Sequence, residues 1–182
     1  DETAPTVQYA AATSNDGEAT TPHLITVTLS GAVQGSAKVD YAVSGGTASG
    51  AGTDYTLASG TLTFASGTTT LDISIPVVND AITEGAEAII LNITNPVIAT
   101  LGSQTSHTHT INDDDAAPTV QYAAATSNDS EGSTPHLVTV NLSNASASQI
   151  TVDYSVTGGT ATAAGTDFTL AAGTLTFAAG VT

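Results

Sequence analysis

The sequence predicts an all-β protein, a two-sheet antiparallel sandwich that is repeated in tandem. Three observations support this fold class. Short segments rich in Val, Ile and Thr alternate with a period of two residues, clusters of Gly, Asn, Asp and Pro separate them, and no window has helical periodicity. Of the 182 residues, 40% are hydrophobic and only 4% aromatic. The chain is therefore apolar enough to fold, around an aliphatic core.

The predicted strands follow one another at short intervals. In the segment from Ile25, the residues Ile25, Val27 and Leu29 fall on one face, as expected of a half-buried strand. In order, the strands are VQYA from Val7, ITVTLS from Ile25, KVDYAVS from Lys38, TLTF from Thr61, LDISIPVV from Leu71, AIILNIT from Ala88 and HTHTI from His107. About seven strands in roughly 110 residues is the size of an immunoglobulin-like sandwich.

The chain contains one and a half copies of the same unit. Residues 5–69 align without gaps on residues 118–182 with an offset of 113, and 45 of the 65 pairs are identical. We therefore expect a complete sandwich over 1–117 and a second copy over 118–182 that has only the first strands. Half a sandwich leaves an apolar face and open strand edges. Either the continuing polypeptide of a longer array or strands of a neighbouring subunit would complete it.

Composition excludes several functions. The formal net charge is −16 with a single Lys and no Arg, which argues against a nucleic-acid partner. Cys and Met are both absent, so disulfides, thiolate metal sites and thiol catalysis are excluded. No apolar run reaches the roughly 20 residues of a membrane-spanning helix. The Gly-rich segment from Gly45 has no phosphate-loop Lys, and no G-x-S-x-G elbow occurs. We therefore expect a protein that is not an enzyme.

Acidic side chains of the first copy gather at the predicted strand ends. They include Asp16 and Glu18, Asp54, the segment from Asp80 to Glu87, and the run Asp113 to Asp115. Two carboxylates about 4 Å apart repel by about 1 kcal/mol in water and about 4 kcal/mol at an effective dielectric constant of 20. Oxygen ligands of high charge favour Ca²⁺ over softer ions. A calcium site and a merely solvated acidic tip both agree with this spacing.

Four separated motifs resemble the Calx-beta domain family, whose members are calcium-binding sandwich modules. They are the acidic turn before the second predicted strand, GTDY from Gly52, the D-x-x-x-E-G-x-E segment from Asp80, and the triple Asp after HTIN. The resemblance implies a calcium cluster at one end of the sandwich. Its implied ligands are Glu18, Asp54, Asp80, Glu84, Asp113, Asp114 and Asp115. Asn79 and Ala81 flank Asp80 where the family often has adjacent acids, which implies a weakened or missing ion there.

The histidines are a separate question. His107 and His109 stand two residues apart in the last predicted strand, a spacing that can chelate zinc or copper but needs a third ligand. The sequence identifies no such ligand. We expect partly exposed strand histidines here, and a surface position for His23 and its repeat His136.

Together these features predict a calcium-binding structural repeat module of an extracellular surface or adhesin-like protein, in which Ca²⁺ stiffens the joint between successive domains. Its expected partners are neighbouring repeats or identical subunits, with a cell-surface ligand that the sequence does not define. The alternative is a subunit of an extracellular filament, in which strands of a neighbouring subunit complete the second copy. An intracellular calcium sensor is a third, weaker interpretation.

Overall fold

The computed structural model describes residues 3–165 and 167–182. All regular elements in this part of the chain are β-strands. It accordingly contains no helix with the length and apolarity needed to cross a bilayer. The contacts divide the chain into two compact units. The first comprises the residues up to Asp80 together with Gly85–Asp114, and the second comprises Ala81–Glu84 together with Asp115–Thr182.

Fifteen strands are present among the described residues. In chain order they are β1 Thr6–Tyr9, β2 Thr13–Gly17, β3 His23–Leu29, β4 Ala37–Gly46, β5 Gly60–Phe64, β6 Thr70–Ile75, β7 Ile82–Thr83, β8 Glu87–Val97, β9 Thr100–Leu101, β10 Ser106–Asn112, β11 Val120–Tyr122, β12 Val140–Leu142, β13 Ala145–Ser146, β14 Ile150–Tyr154 and β15 Gly173–Phe177. Strands β7 and β11 to β15 belong to the second unit, and the others form the first.

The first unit is a sandwich of two sheets. One sheet has the strand order β6-β3-β1-β9 and the other has the order β2-β10-β8-β4-β5. The central pairings are antiparallel, whereas the short edge pairings β1–β9 and β2–β10 are parallel. In β3 the side chains of His23, Ile25, Val27 and Leu29 are buried, in the predicted period of two. The predicted all-β, immunoglobulin-like sandwich is confirmed.

Aliphatic side chains from both sheets fill the interior of the first unit. Val27, Phe64, Ile89 and Leu91 are completely shielded from solvent, and so is Tyr9. Burying each such side chain stabilises the fold by about 1.5–3 kcal/mol. In agreement with the low aromatic content of the sequence, Val, Ile and Leu make up most of this core.

The second unit consists of three two-stranded pairings among its described residues, β11 with β12, β14 with β15, and β7 with β13. Several of its apolar residues are much more exposed than their counterparts 113 positions earlier, although Leu142 is as buried as Leu29. Tyr122 is 61% exposed where Tyr9 is 0% exposed, and Val138 is 58% exposed where Ile25 is 2% exposed. The strands of the second unit therefore present an apolar face to solvent.

Candidate metal centre

Asp54 closes a tight turn of the first unit. Its backbone N–H donates to the carbonyl oxygen of Ser49 over 3.0 Å, and its carboxylate accepts a hydrogen bond from the N–H of Ser49. The N–H of Val78 then donates to the Asp54 carbonyl oxygen over 2.8 Å. Val78 lies two residues before Asp80. The hydrogen bond therefore brings the backbone near Asp80 close to Asp54, so these two predicted ligands approach each other.

Glu18 lies at the end of a strand of the five-stranded sheet. It directly follows β2, and its N–H donates to the carbonyl oxygen of Asn112 over 3.1 Å. Asp113 comes next in the chain, so Glu18 lies beside the start of the acidic run. The side chain of Glu18 is only 6% exposed. One of its carboxylate oxygens lies within 4.8 Å of a carboxylate oxygen of Asp80.

A second close pair joins Asp54 to Glu87. Carboxylate oxygens of these two half-buried residues also lie within 4.8 Å of each other. Glu87 is the first residue of β8 and was not among the predicted ligands. The only sequence signal for it is its place at the end of the D-x-x-x-E-G-x-E segment, in which the resemblance singled out Asp80 and Glu84.

The remaining predicted ligands are distributed as follows. Asp113 and Asp114 follow β10 in the first unit, and among the described residues neither belongs to a group of three ligand atoms within 4.8 Å of one another. Glu84 ends the short segment Ala81–Glu84, and Asp115 begins the long segment Asp115–Thr182. The contacts of both segments assign them to the second unit. The complete ligand set from Glu18 to Asp115 stays a prediction.

The chemistry of the paired carboxylates fits a hard divalent cation. At 4.8 Å, two unit charges repel by about 0.9 kcal/mol in water and by about 3.5 kcal/mol at an effective dielectric constant of 20. The only Lys or Arg of the sequence is Lys38, which lies exposed on β4, opposite Thr63 and Val97. Oxygen-only donors with this charge match Ca²⁺, which accepts six to eight oxygens in flexible geometries.

A second group of metal-ligating side chains occupies the interior of the first unit. His23 is 1% exposed, His107 3% and His109 0%. The expectation of partly exposed strand histidines, and of a surface position for His23, was therefore wrong. In β10, His107 and His109 lie on the same inward face as the buried Ile111, whereas Thr108 between them lies on the opposite face. His23 is the first residue of β3 and lies against this inward face.

Strand β2 supplies polar side chains to the same group. Ser14 and Asp16 pair in parallel register with His109 and Ile111 of β10. The sequence TSNDG of β2 has no apolar alternation, so periodicity gave no sign of a strand there. Its partner lies more than 90 positions away, beyond the range of local sequence patterns.

The fold and the acidic side chains define a class of protein, a β-sandwich module with a carboxylate-lined end suited to hard cations. The family model of the Calx-beta domain matches residues 1–115 and again residues 113–182. The chain belongs to the Calx-beta domain family, as its motifs predicted.

Solved structures agree with this assignment. The apo-form Calx CBD1 domain is 28% identical and has a TM-score of 0.56, with 61% of this chain and 98% of that chain covered. CBD12 from CALX1.2 is 26% identical with a TM-score of 0.57, covering 96% of this chain and 71% of that chain. The calcium binding domain CBD12 of CALX1.1 is 28% identical with a TM-score of 0.56, covering 60% and 44% respectively. No curated protein sequence shows significant similarity to the chain.

Proposed function

We propose that this chain is a calcium-binding structural repeat module of an extracellular surface or adhesin-like protein. The observation that carries the proposal is the pairing of the buried Glu18 carboxylate with Asp80 within 4.8 Å, in a chain with one Lys and no Arg. A buried carboxylate beside a second one is costly without a cation. The structural relative CBD12 of CALX1.1 is described as a calcium binding domain, which supports Ca²⁺ as that cation.

The proposed ligands connect calcium to the mechanics of the repeat. The chain passes from the first unit to the second after Asp80, returns before Gly85, and passes again between Asp114 and Asp115. All of these passages lie within the acidic segments that contain the proposed ligands Asp80, Glu84, Asp113, Asp114 and Asp115. Without an ion the carboxylates repel one another, whereas a bound ion holds them together. Calcium would thus stiffen the joint between successive domains.

The proposed setting is the cell exterior, and the proposed role is structural. A repeated, strongly acidic chain without Cys or Met suits solubility and resistance to oxidation outside a cell. The partners would be neighbouring repeats and a surface ligand, with no catalytic step. Antibody labelling of intact cells that make the full protein tests the location, and labelling only after lysis would refute it.

Thermal unfolding in buffers with calcium, magnesium or chelator tests the calcium site. Extracellular modules typically hold Ca²⁺ with dissociation constants of about 10⁻⁴–10⁻³ M. At ten times the dissociation constant, each site stabilises the folded protein by about 1.4 kcal/mol. We expect the melting temperature to rise with millimolar calcium and to respond less to magnesium. A flat response to calcium would overturn the proposal while leaving the fold unaffected.

Small-angle scattering tests the mechanical part. With calcium we expect a narrower distribution of interatomic distances than with chelator, because the passages between the units are restrained. If the two scattering profiles show equal flexibility, stiffening by calcium is refuted even where calcium binds.

A filament subunit is the second candidate function, and the exposed apolar face of the second unit favours it. Tyr122 and Val138 are exposed there, whereas their counterparts Tyr9 and Ile25 are buried in the first unit. Strands from another copy could cover these side chains by β-strand addition. Electron microscopy of purified protein separates the two functions: fibres that lengthen with protein concentration support the filament, and dispersed particles support the repeat module.

A further inference from the structure

The buried histidines of the first unit form a continuous chain of polar contacts that begins at a backbone carbonyl. Nδ1 of His107 lies 2.8 Å from the carbonyl oxygen of Ala11. Because that oxygen only accepts, His107 carries its proton on Nδ1 and a lone pair on Nε2. The Ser14 hydroxyl lies 2.7 Å from this Nε2 and donates to it. Nδ1–H of His109 in turn donates to the Ser14 oxygen over 2.7 Å, which leaves the lone pair of His109 on Nε2.

The other end of the chain is also a carbonyl. Nε2 of His23 lies 3.1 Å from the carbonyl oxygen of Gly17, so a neutral His23 carries its proton on Nε2 and its lone pair on Nδ1. The two lone pairs then meet, because Nδ1 of His23 and Nε2 of His109 are 2.6 Å apart. This is the shortest of the five contacts that link the histidines, Ser14 and the two carbonyl groups. When both rings are neutral, no proton lies between these two nitrogens.

A count of protons states the same problem without assigning tautomers. Five contacts need five protons, whereas three neutral histidines and one serine supply four. Wherever the mismatch is placed, two acceptors face each other inside the sandwich, which is costly for buried groups. A single added cation removes the mismatch.

A carboxylate stands beside the contact between His23 and His109. One ring nitrogen of each histidine and one carboxylate oxygen of Asp16 all lie within 4.8 Å of one another. Asp16 is exposed on β2, whereas both rings are buried. The group therefore has two inward nitrogen donors and one outward oxygen donor through which an ion could enter from solvent.

We propose that His23, His109 and Asp16 form a binding site for a divalent transition-metal ion of the zinc class, separate from the acidic calcium site. Two imidazole nitrogens and a carboxylate oxygen are ligands that zinc prefers, and a water molecule can supply the fourth position. Calcium selects oxygen ligands instead. Only His109 of the H-x-H pair is a ligand of this site, and the other two ligands come from β2 and β3.

The Nδ1–H of His109 donates to Ser14, which orients the ring as outer hydrogen bonds orient ligating histidines. Zinc–nitrogen bonds of about 2.0–2.1 Å in tetrahedral geometry would separate the two nitrogens to roughly 3.3 Å.

The second unit contains a matched comparison. His136, Asp129 and Ser127 correspond to His23, Asp16 and Ser14 at the offset of 113. There the histidine contacts Ser127 through Nε2 at 2.8 Å and Asp129 through Nδ1 at 2.6 Å. These side chains are exposed, and the described part of the second unit provides no counterpart of His109. His136 is thus a control with the same neighbours in sequence but without the second nitrogen donor.

Titration of the whole chain with Zn²⁺ and with Co²⁺, at saturating Ca²⁺, tests the site. We expect one ion per chain, visible d–d absorption of Co²⁺ in tetrahedral geometry, and displacement of Co²⁺ by Zn²⁺. Asp16→Asn preserves the shape of an exposed side chain and should weaken binding at least about tenfold. His136→Gln should leave it unchanged. Absence of binding by millimolar zinc, equal affinity in Asp16→Asn, or loss of binding in His136→Gln would each overturn the site.

Nitrogen-15 NMR of the imidazoles provides a readout that also distinguishes a proton from a metal. Zinc should move the resonances of His23 Nδ1 and His109 Nε2 and leave those of His107 in place. If the metal-free protein at neutral pH already holds a fifth proton between His23 and His109, and zinc does not displace it, the proposal fails. The calcium proposal is unaffected by that result, because it rests on other side chains and on a separate titration.

Discussion

Asp80→Asn should have effects of opposite sign with and without calcium. The carboxylates of Asp80 and Glu18 lie within 4.8 Å of each other, so their repulsion is at least about 0.9 kcal/mol in water and about 3.5 kcal/mol at an effective dielectric constant of 20. Because Asp80 is exposed and Glu18 is buried, we expect the repulsion between the two carboxylates to lie between these limits, at about 1–2 kcal/mol. Removing one charge relieves this repulsion. In chelator the variant should be more stable than the parent protein, by a few degrees in melting temperature.

Calcium should reverse this order. The parent protein gains about 1.4 kcal/mol per site at ten times the dissociation constant, and the variant loses a ligand and most of that gain. Differential scanning calorimetry in chelator and in calcium measures both comparisons. Asp72→Asn is the control, since it removes the same charge from β6, where Asp72 accepts a hydrogen bond from Thr26 over 2.6 Å. The reasoning is refuted if calcium raises the melting temperatures of Asp80→Asn and of the parent protein by the same amount.

Two further predictions concern the stability of the units. Phe64→Ala should destabilise the first unit by about 3–5 kcal/mol because Phe64 is fully buried, whereas the matched Phe177→Ala removes a half-buried ring and should cost less. Unit-resolved hydrogen exchange in urea measures the difference, and equal costs would contradict the assigned burial. Hydrogen bonds from Thr61 and Asn95 hold the pKa of Asp40 below its usual value, so the charged form favours folding. Its contribution is present above the unfolded carboxyl pKa and disappears as pH falls through the lower folded value. Asp40→Asn should therefore lose less stability on acidification, and an unchanged profile of urea midpoint against pH would contradict this.

Local patterns predicted the long strands well. Alternating Ile, Val and Leu marked β3, β6 and β8, because residues two apart share one face of a strand and that face meets the core. The short strands β2, β7 and β9 have no such pattern. They form because a partner strand offers unpaired backbone groups, a condition that lies elsewhere in the chain.

The acidic site was partly predictable. Carboxylates at strand ends indicated where charge gathers. The motifs selected Glu18 and Asp80, whose carboxylate oxygens lie within 4.8 Å of each other, and Asp54, which lies as close to Glu87. Glu87 was missed because a carboxylate in the first position of a strand has no distinctive spacing. Which acids share an ion depends on loop paths that differ by single residues, and sequence spacing does not determine them.

The sequence by itself determined the sandwich, the tandem repeat and the hard-cation character of the acidic segments, because periodicity, identity at a fixed offset and charge are local properties. Only the tertiary structure decided that His23, His107 and His109 are buried in one group. Their contacts join residues 86 to 95 positions apart along the chain. Alternation shows that a side chain points inward, but the strands that pack opposite it decide which atoms it meets.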